Sequence, residues 1–207
     1  FVNAYHDNPN TDFHTMVSEM AKIDRKKAKT INLGLFYGMG KGKLSSELGL
    51  SPGQAEDLFE KYHSRVPFVK EMIERTMKKA ADVGHVRTLL GRKCRFDMWE
   101  PSRYGVHRPL PRDEAEREHG KQIRRAFTYK ALNKIIQGSA ADMTKQAMAD
   151  LHDEGITPHI QVHDELDCSF EDEVEKDKIL EIMRNAVKLE VPVKLDVEEG
   201  PSWGQAK

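Results

Sequence analysis

The chain has 207 residues, 38% of them apolar and 32% charged, which is typical of one domain or of two small lobes. No window approaches the ~20 continuous apolar residues of a membrane span, and the first residues show no signal-peptide pattern. Cys94 and Cys168 have neither CxxC nor paired-histidine spacing. A zinc site or a disulfide framework is therefore not expected. The cysteine usage predicts that the protein works in a reducing cytoplasm.

The net charge of -1 conceals an uneven distribution along the chain. Residues 150–200 carry sixteen acidic and five basic side chains, whereas residues 1–149 carry eighteen acidic and twenty-seven basic ones. Because a local basic surface is what attracts nucleic acid, a neutral total does not exclude it. An uneven but solvated surface is the alternative interpretation.

The first half of the sequence reads as helices followed by a hairpin. A helix is predicted from Glu19 to Tyr37, with Met20, Ile23, Ala28, Ile31 and Leu35 as candidate buried positions. Ser51-Pro52-Gly53-Gln54 supplies an N-cap, an early proline and a capping-box glutamine, so a second helix should reach about Ser64. A third is predicted over Pro67 to Asp82, and a hairpin over Val86 to Phe96.

The second half is predicted to combine helices with short strands. Residues 99–112 read as a loop, and Asp113 opens a helical stretch that reaches about Asp150, with breaks possible at Gly120 or Gly138. Apolar residues alternate on both sides of His163-Asp164-Glu165, which indicates two strands that meet at the acids. A helix over 173–189 and a strand over 191–197 complete an α+β fold, mostly helical, with a small antiparallel sheet.

Arg25, Lys29, Leu33 and Tyr37 are spaced four residues apart. Such residues share one helix face, so two permanent cations would lie beside an apolar surface. The cations suit a polyphosphate, and the apolar end suits a base or a sugar. A basic amphipathic helix that faces water would show the same spacing.

His163-Asp164-Glu165 is the candidate metal site. Adjacent side chains of a strand point to opposite faces, so one of the two acids is expected to be the better ligand and the other to support it. Carboxylate oxygens suit a hard cation such as Mg²⁺. An ordinary polar turn would have the same composition.

Asn133 and Gln137 share a helix face, and the small residues from Gly138 to Ala141 permit the close approach of another backbone. Amide side chains can donate to minor-groove acceptors that A·T and G·C pairs both present. Such contacts would test pairing geometry without reading sequence, although a closely packed helix crossing is an equal alternative. A dense set of basic residues over 87–125 also suits phosphate contacts.

Together these segments resemble the family A (polymerase I type) DNA polymerases, and phage-type members most. The order matches over essentially the whole chain: Asp12-Phe13-His14, then Arg25 to Gly38, Thr88 to Lys93, Asn133 to Gly138, and His163-Asp164-Glu165. The ending Trp203-Gly204-Gln205-Ala206-Lys207 also resembles that of the family. The ordered set is far more specific than any one motif.

The resemblance implies a role for each matched residue. His14, Arg25 and Lys29 would hold the incoming triphosphate, with Lys29 able to protonate the leaving pyrophosphate. Leu33, where many members have Phe or Tyr, would lie against the sugar, and Tyr37 would guard the template position.

It also implies the DNA and metal contacts. Thr88, Arg92 and Lys93 would contact DNA, Asn133 and Gln137 the minor groove, and His163 the primer terminus. Asp164 would bind catalytic Mg²⁺ with Glu165 beside it. The implied partners are primer-template DNA and dNTPs, and two ions would serve a template-directed phosphoryl transfer to the primer 3′-hydroxyl.

The family's first metal-binding aspartate lies in an Asp-Tyr-Ser-type strand that would precede residue 1. The chain is therefore expected to need the missing N-terminal polymerase segments as partners and to be inactive alone. Its expected parts are a palm edge (1–18), fingers (19–112) and a palm portion (113–207), in the cytoplasm of a bacterial host if a phage encodes it.

Three other functions fit parts of the pattern. A single-subunit RNA polymerase shares the Lys-to-Tyr-Gly helix and the His-Asp turn, although Asn133, Gln137 and Glu165 favour a DNA polymerase. A metal phosphohydrolase would need further histidine and aspartate ligands that are not evident. A non-catalytic DNA-binding module would bind DNA in a salt-dependent way without extending a primer.

Overall fold

A computed structural model describes residues 2–36, 39–103 and 105–206. Within these ranges the chain is mainly helical, with short antiparallel strands between helices, which confirms the predicted α+β class. The helices are α1 (Val2–Asp7), α2 (Phe13–Ala21), α3 (Arg25–Phe36), α4 (Lys41–Leu48), α5 (Pro52–Arg65), α6 (Pro67–Val83), α7 (Arg112–His119), α8 (Ala131–Asp153) and α9 (Glu173–Asn185).

Within the described ranges the strands form three small sheets, each antiparallel throughout. Two are hairpins and one has three strands in the order β4-β3-β5. The strands are β1 (His85–Arg87), β2 (Lys93–Arg95), β3 (Met98–Pro101), β4 (Leu110–Pro111), β5 (Ile123–Arg125), β6 (Ile160–Val162) and β7 (Glu165–Asp167).

The chain divides into two compact units. One comprises Asp12–Gly138, and the other comprises Phe1–Thr11 with Ser139–Lys207. No helix in the described ranges is long and apolar enough to cross a membrane.

The larger unit has an apolar core among α2, α3, α4, α5 and α6. Val17, Ile31, Leu44, Tyr62 and Val69 are almost entirely buried there. Removal of this apolar surface from water is the main stabilising contribution to these helices, which are too short to persist alone. Ala28 and Ile31, predicted to be buried, have no exposed surface.

The predicted helix over 19–37 is wrong in its first part. The structure has two helices, and Lys22 between them adopts the left-handed conformation, with φ of 53°. Its N–H donates to Glu19 O, and Ile23 N–H donates to Ser18 O, which closes the end of α2. The Asp24 carboxylate then accepts from Lys27 N–H, as an N-cap does at the start of α3.

The predictions for α5, α6 and both hairpins are confirmed. The capping box of α5 is complete, with Ser51 Oγ accepting from Gln54 N–H and Gln54 Oε1 accepting from Ser51 N–H. Gly84 ends α6 in the left-handed conformation, at φ of 78°.

Other predicted elements differ from the structure. The expected loop at 99–112 contains most of β3 and all of β4, and the helical stretch after Asp113 is interrupted by β5 beyond Gly120, with no break at Gly138. The strand expected over 191–197 is not formed, and α9 ends at Asn185 instead of near Leu189.

The smaller unit has its own apolar core. Leu151 of α8, Ile156 and Ile179 of α9 are buried together, and Leu166 and Cys168 from the end of the second hairpin pack against them. This core connects β7 to the helices, while the turn of the hairpin remains exposed.

Candidate nucleotide, DNA and metal sites

The predicted nucleotide-binding residues lie on α2 and α3 of the larger unit. Arg25, Lys29 and Leu33 are all exposed, whereas Ala28 and Ile31 on the opposite side of α3 are buried. The four-residue spacing therefore produces the outward-facing stripe that was predicted. Tyr37 lies outside the described residues.

Asp12 organises the start of this site. It is the N-cap of α2, and its carboxylate accepts from the backbone N–H groups of His14 and Thr15 and from the Thr15 hydroxyl. The same carboxylate accepts from Arg25 Nε at 2.7 Å. The hydrogen bond from Thr15, followed by that from Arg25, holds the Asp12 pKa far below its ordinary value.

His14 is fixed by the neighbouring helices. Its Nδ1 atom lies 3.0 Å from Asn32 Nδ2, and Asn32 is entirely buried. Partial burial lowers the His14 pKa. Arg25 and Lys29 lower it further, and Asp12 opposes the shift. The ring is therefore mostly neutral at neutral pH.

Lys29 is the cation of this surface that is most available to a ligand. Arg25 is already paired with Asp12, whereas Lys29 makes no ion pair with any residue that the structure describes. Leu33, one turn further along α3, is 40% exposed. Lysine, histidine and leucine thus offer a cation, a hydrogen-bonding ring and an apolar contact along one surface.

The candidate DNA-binding residues of the first hairpin lie against the beginning of α8. Thr88 is buried, and its hydroxyl accepts from Arg92 N–H at 3.0 Å. Arg92 Nη2 donates to Gly138 O at 3.0 Å. Lys93 begins β2 and is exposed.

Glycine at position 138 permits this contact. A Cβ atom there would lie 2.7 Å from Thr88 Cγ2 and 3.2 Å from Arg92 Nη2. The small residue thus allows a close approach, as predicted, although side chains of the hairpin make it instead of another backbone. The structure thereby brings Thr88 and Arg92 next to the helix that carries Asn133 and Gln137.

The two amides of α8 differ in exposure. Gln137 is exposed, whereas Asn133 is half-buried. Asn133 Nδ2 is enclosed and has no hydrogen-bond partner in the part of the chain that the structure describes. Because an enclosed donor without an acceptor is costly, this is an unusual position for an amide.

The predicted metal-binding residues lie in the smaller unit, at the second hairpin. His163 and Asp164 form the two-residue turn between β6 and β7, whose Val162 and Glu165 are paired. His163 adopts the left-handed conformation, with φ of 55°, and its carbonyl accepts from Gln161 Nε2. His163, Asp164 and Glu165 are all exposed.

Glu165 has a partner that the sequence did not reveal. Trp203 Nε1 donates to Glu165 Oε1 at 3.2 Å. A cleft of about 520 Å³ lies beside this contact. It is lined by Asp164, Glu165, α9 and the segment 194–199. Lys176 of α9 pairs with Glu199 in that segment.

The described residues contain no group of three or more histidine, cysteine, aspartate or glutamate side chains placed to hold a metal ion. Asp164 and Glu165 supply exposed carboxylate oxygens, which fit Mg²⁺ in kind. They do not complete a set of protein ligands among these residues.

Comparisons with known proteins agree with the ordered motifs. The family model described as DNA polymerase family A matches residues 5–205. A DNA-directed DNA polymerase of Pseudomonas phage M6 is 37% identical over 98% of this chain, which covers 32% of that protein. A thermostable DNA polymerase I of Thermus filiformis is 38% identical over 88% of this chain and 21% of its own length.

A solved structure is also similar to this chain. The POL domain of Pol1 from M. smegmatis, in complex with DNA primer-template and dNTP, matches 93% of this chain with a TM-score of 0.71 and 28% identity. This chain covers 34% of that one, so it spans about a third or less of the proteins it is compared with here. Its family is nevertheless clear from the match to nearly every residue, and the chain belongs to DNA polymerase family A.

Proposed function

We propose that the chain carries the nucleotide-binding surface and part of the metal site of a template-directed DNA polymerase. The enzyme would add deoxynucleotides to a primer 3′-hydroxyl by phosphoryl transfer. The observation that carries this proposal is the exposed face of α3, where Arg25, Lys29 and Leu33 lie in line beside His14. The POL domain of Pol1, similar in fold, binds primer-template DNA and dNTP.

The incoming triphosphate would lie along this face. Lys29 and Arg25 would neutralise phosphate oxygens, and His14 would donate a hydrogen bond to them. Leu33 would contact the sugar, and Tyr37 would follow at the template position. Lys29 is also the candidate proton donor to the leaving pyrophosphate, since a positioned acid stabilises a leaving oxygen.

The duplex would contact the first hairpin and the beginning of α8. Arg92 and Lys93 suit phosphates, and Thr88 holds the Arg92 backbone in place. Gln137 would donate to the minor groove. Asn133 Nδ2 has no acceptor among the described residues, which supports a role in which Asn133 turns toward an acceptor on the DNA. His163 would lie near the primer terminus.

Mg²⁺ is the metal that suits the acids of the second hairpin. Asp164 would be one ligand, and Glu165 would support the site through its contact with Trp203. When bound, a pair of such ions lowers the pKa of the attacking hydroxyl and neutralises charge on the triphosphate. The chain's own contribution is to present these carboxylates at an exposed turn.

Within this proposal, residues 1–18 would be a palm edge, 19–112 the fingers and 113–207 a palm portion. The enzyme would work in the cytoplasm, which would be that of a bacterial host if a phage encodes it. Segments that precede this region in longer relatives would be its structural partners.

Primer extension tests the proposal. The complete gene product that carries this chain should extend a primed template with dNTPs and Mg²⁺, and should use rNTPs far less well. Preferential rNTP incorporation would contradict a DNA polymerase. Salt-dependent DNA binding without any extension would reduce the function to a binding module.

A further inference from the structure

The side chains of Tyr62, Asn32 and His14 are joined by hydrogen bonds that run from the core of the larger unit toward its surface. Tyr62 of α5 and Asn32 of α3 have no exposed surface. Tyr62 Oη donates to Asn32 Oδ1 at 2.6 Å, and Asn32 Nδ2 lies 3.0 Å from His14 Nδ1. Of the three residues, only the histidine is partly exposed.

The direction of these hydrogen bonds follows from donor and acceptor chemistry. Burial raises the pKa of Tyr62, so the phenol stays protonated and needs an acceptor for its hydrogen. The Asn32 carbonyl oxygen is that acceptor, which turns the amide nitrogen toward His14. In the reverse amide orientation, the phenol proton would have no acceptor in this part of the described structure.

An amide nitrogen can only donate. His14 Nδ1 must therefore accept, and in a neutral ring the single hydrogen is then on Nε2. We propose that Asn32 and Tyr62 are positioning residues that fix this tautomer of His14. The ring thereby presents Nε2–H as a ready donor to a triphosphate oxygen, a consequence that rests on the proposed function.

Burial of the His14 ring favours the same neutral state. A protonated ring would place hydrogens on both nitrogens and direct one of them at the Asn32 NH₂ group. Burial and the two cations, Arg25 and Lys29, disfavour that form, whereas Asp12 favours it. The neutral ring is also the form that Asn32 can hold.

The burial of Tyr62 and Asn32 indicates a role beyond stabilising the fold. A polar pair placed in an apolar core contributes little net free energy, because its hydrogen bonds only replace those made with water. An apolar ring of similar size could replace Tyr62 in its core with Val17, Ile31 and Val69. What apolar residues could not do is orient a histidine ring.

The tautomer can be observed directly by NMR of the chain with ¹⁵N-labelled histidine, near neutral pH. His14 should show a non-protonated Nδ1 and a protonated Nε2. Asn32→Asp replaces the donor with a carboxylate and should reverse the tautomer, with the hydrogen on Nδ1. The exposed His152 serves as an internal reference and should not change in either protein.

Tyr62→Phe provides a second variant that keeps the size of the buried ring. Without the phenol proton, the Asn32 amide is free to turn over, so His14 should populate both tautomers. A wild-type His14 protonated on Nδ1 would overturn the inference. Unchanged tautomers in both variants, with folding verified by their amide spectra, would overturn it as well.

Titration with Mg²⁺-dNTP then tests the consequence for the ligand. The Nε2 signal of wild-type His14 should shift on binding, and Asn32→Asp should weaken binding about tenfold, the loss of roughly one charge-assisted hydrogen bond. Binding with no response of His14 would overturn the donor role. If Lys29→Ala also left binding unchanged, the proposed nucleotide site would fail, whereas the tautomer measurement would stand by itself.

Discussion

The candidate nucleotide-binding region and the candidate metal-binding hairpin are built in different ways. On α2 and α3, Asp12 holds Arg25 and Asn32 holds His14, and both contacts are supported by a buried core. On the β6–β7 hairpin, Asp164 lies at an exposed turn, and every residue of β6 is exposed. The first site is organised by internal hydrogen bonds. The second site presents carboxylates, and bound ligands would complete its geometry. Preorganised groups lose less freedom when they act on a substrate.

The largest effect is expected at the hairpin. Asp164→Ala should lower primer extension by the complete gene product about a hundred- to a thousandfold, which is typical of removing a group that stabilises transition-state charge. DNA affinity and thermal stability should barely change, because the side chain is exposed. Glu171→Ala, which removes an exposed acid that follows the hairpin in the sequence, is the matched control. Equal losses in both variants would show a general charge effect and not a specific ligand.

Lys29→Ala should have the next largest effect. Lys29 makes no ion pair among the described residues, so its charge is available to the triphosphate and is lost in the variant. The rate of nucleotide incorporation should fall about a hundredfold, the usual contribution of a positioned proton donor. Lys26→Ala changes a neighbouring exposed lysine of the same helix and should leave the rate near that of the wild type. Single-turnover incorporation separates these outcomes, and an unaffected rate for Lys29→Ala would remove it from the site.

Asp12 should matter to stability in a way that Asp164 does not. Asp12→Ala removes the N-cap of α2 and should cost about 1 kcal/mol in urea unfolding. Asp12→Asn keeps a capping oxygen and should cost less. The pKa of Asp12 in the folded state is lowered from its ordinary value of 3.8. The stability contributed by the charged Asp12 carboxylate is therefore present above pH 3.8 and is lost as the pH falls below it. A pH-independent difference between wild type and Asp12→Asn would contradict this account.

Trp203→Phe should have the smallest effect. It removes the hydrogen bond to Glu165 but keeps an aromatic ring, so primer extension should fall by only about two- to tenfold, the contribution of one hydrogen bond. In a Glu165→Ala background, which has no acceptor for the indole N–H, the same change should have a smaller effect. Full additivity of the two losses would show that Trp203 acts independently of Glu165.

The elements that the sequence predicted well depend on local chemistry. The capping box at Ser51, the glycine after α6 and the alternation around the second hairpin all act within a few residues. The split between α2 and α3 was missed because Lys22, a residue without glycine's freedom, adopts the left-handed conformation there. The strands β3 to β5 were missed because their register pairs residues far apart, such as Trp99 with Arg125.

The segment 191–197 shows why alternation alone does not make a strand. Val191, Val193 and Leu195 are half-buried and the residues between them are exposed, whereas Val197 at the end of the segment is exposed. The described residues supply no neighbouring strand to pair with them, so the backbone forms no ladder. Pairing partners are a property of the fold and not of the local pattern.

The candidate site was predicted unevenly for the same reason. The common face of Arg25, Lys29 and Leu33 follows from helix geometry. The links from Asp12 to Arg25 and from Tyr62 through Asn32 to His14 span 13 to 30 residues, so they depend on how the helices pack. The sequence held one signal, since Asp12 precedes Thr15 at capping distance, and this would have revealed the start of α2.

The double use of Asp12 has a consequence for protein engineering. One carboxylate both begins a helix and restrains the guanidinium proposed to contact the triphosphate. A laboratory selection for heat resistance and a selection for altered substrate affinity would therefore act on the same codon. Variants that improve one property there would tend to change the other, unless a second residue takes over one of the two duties.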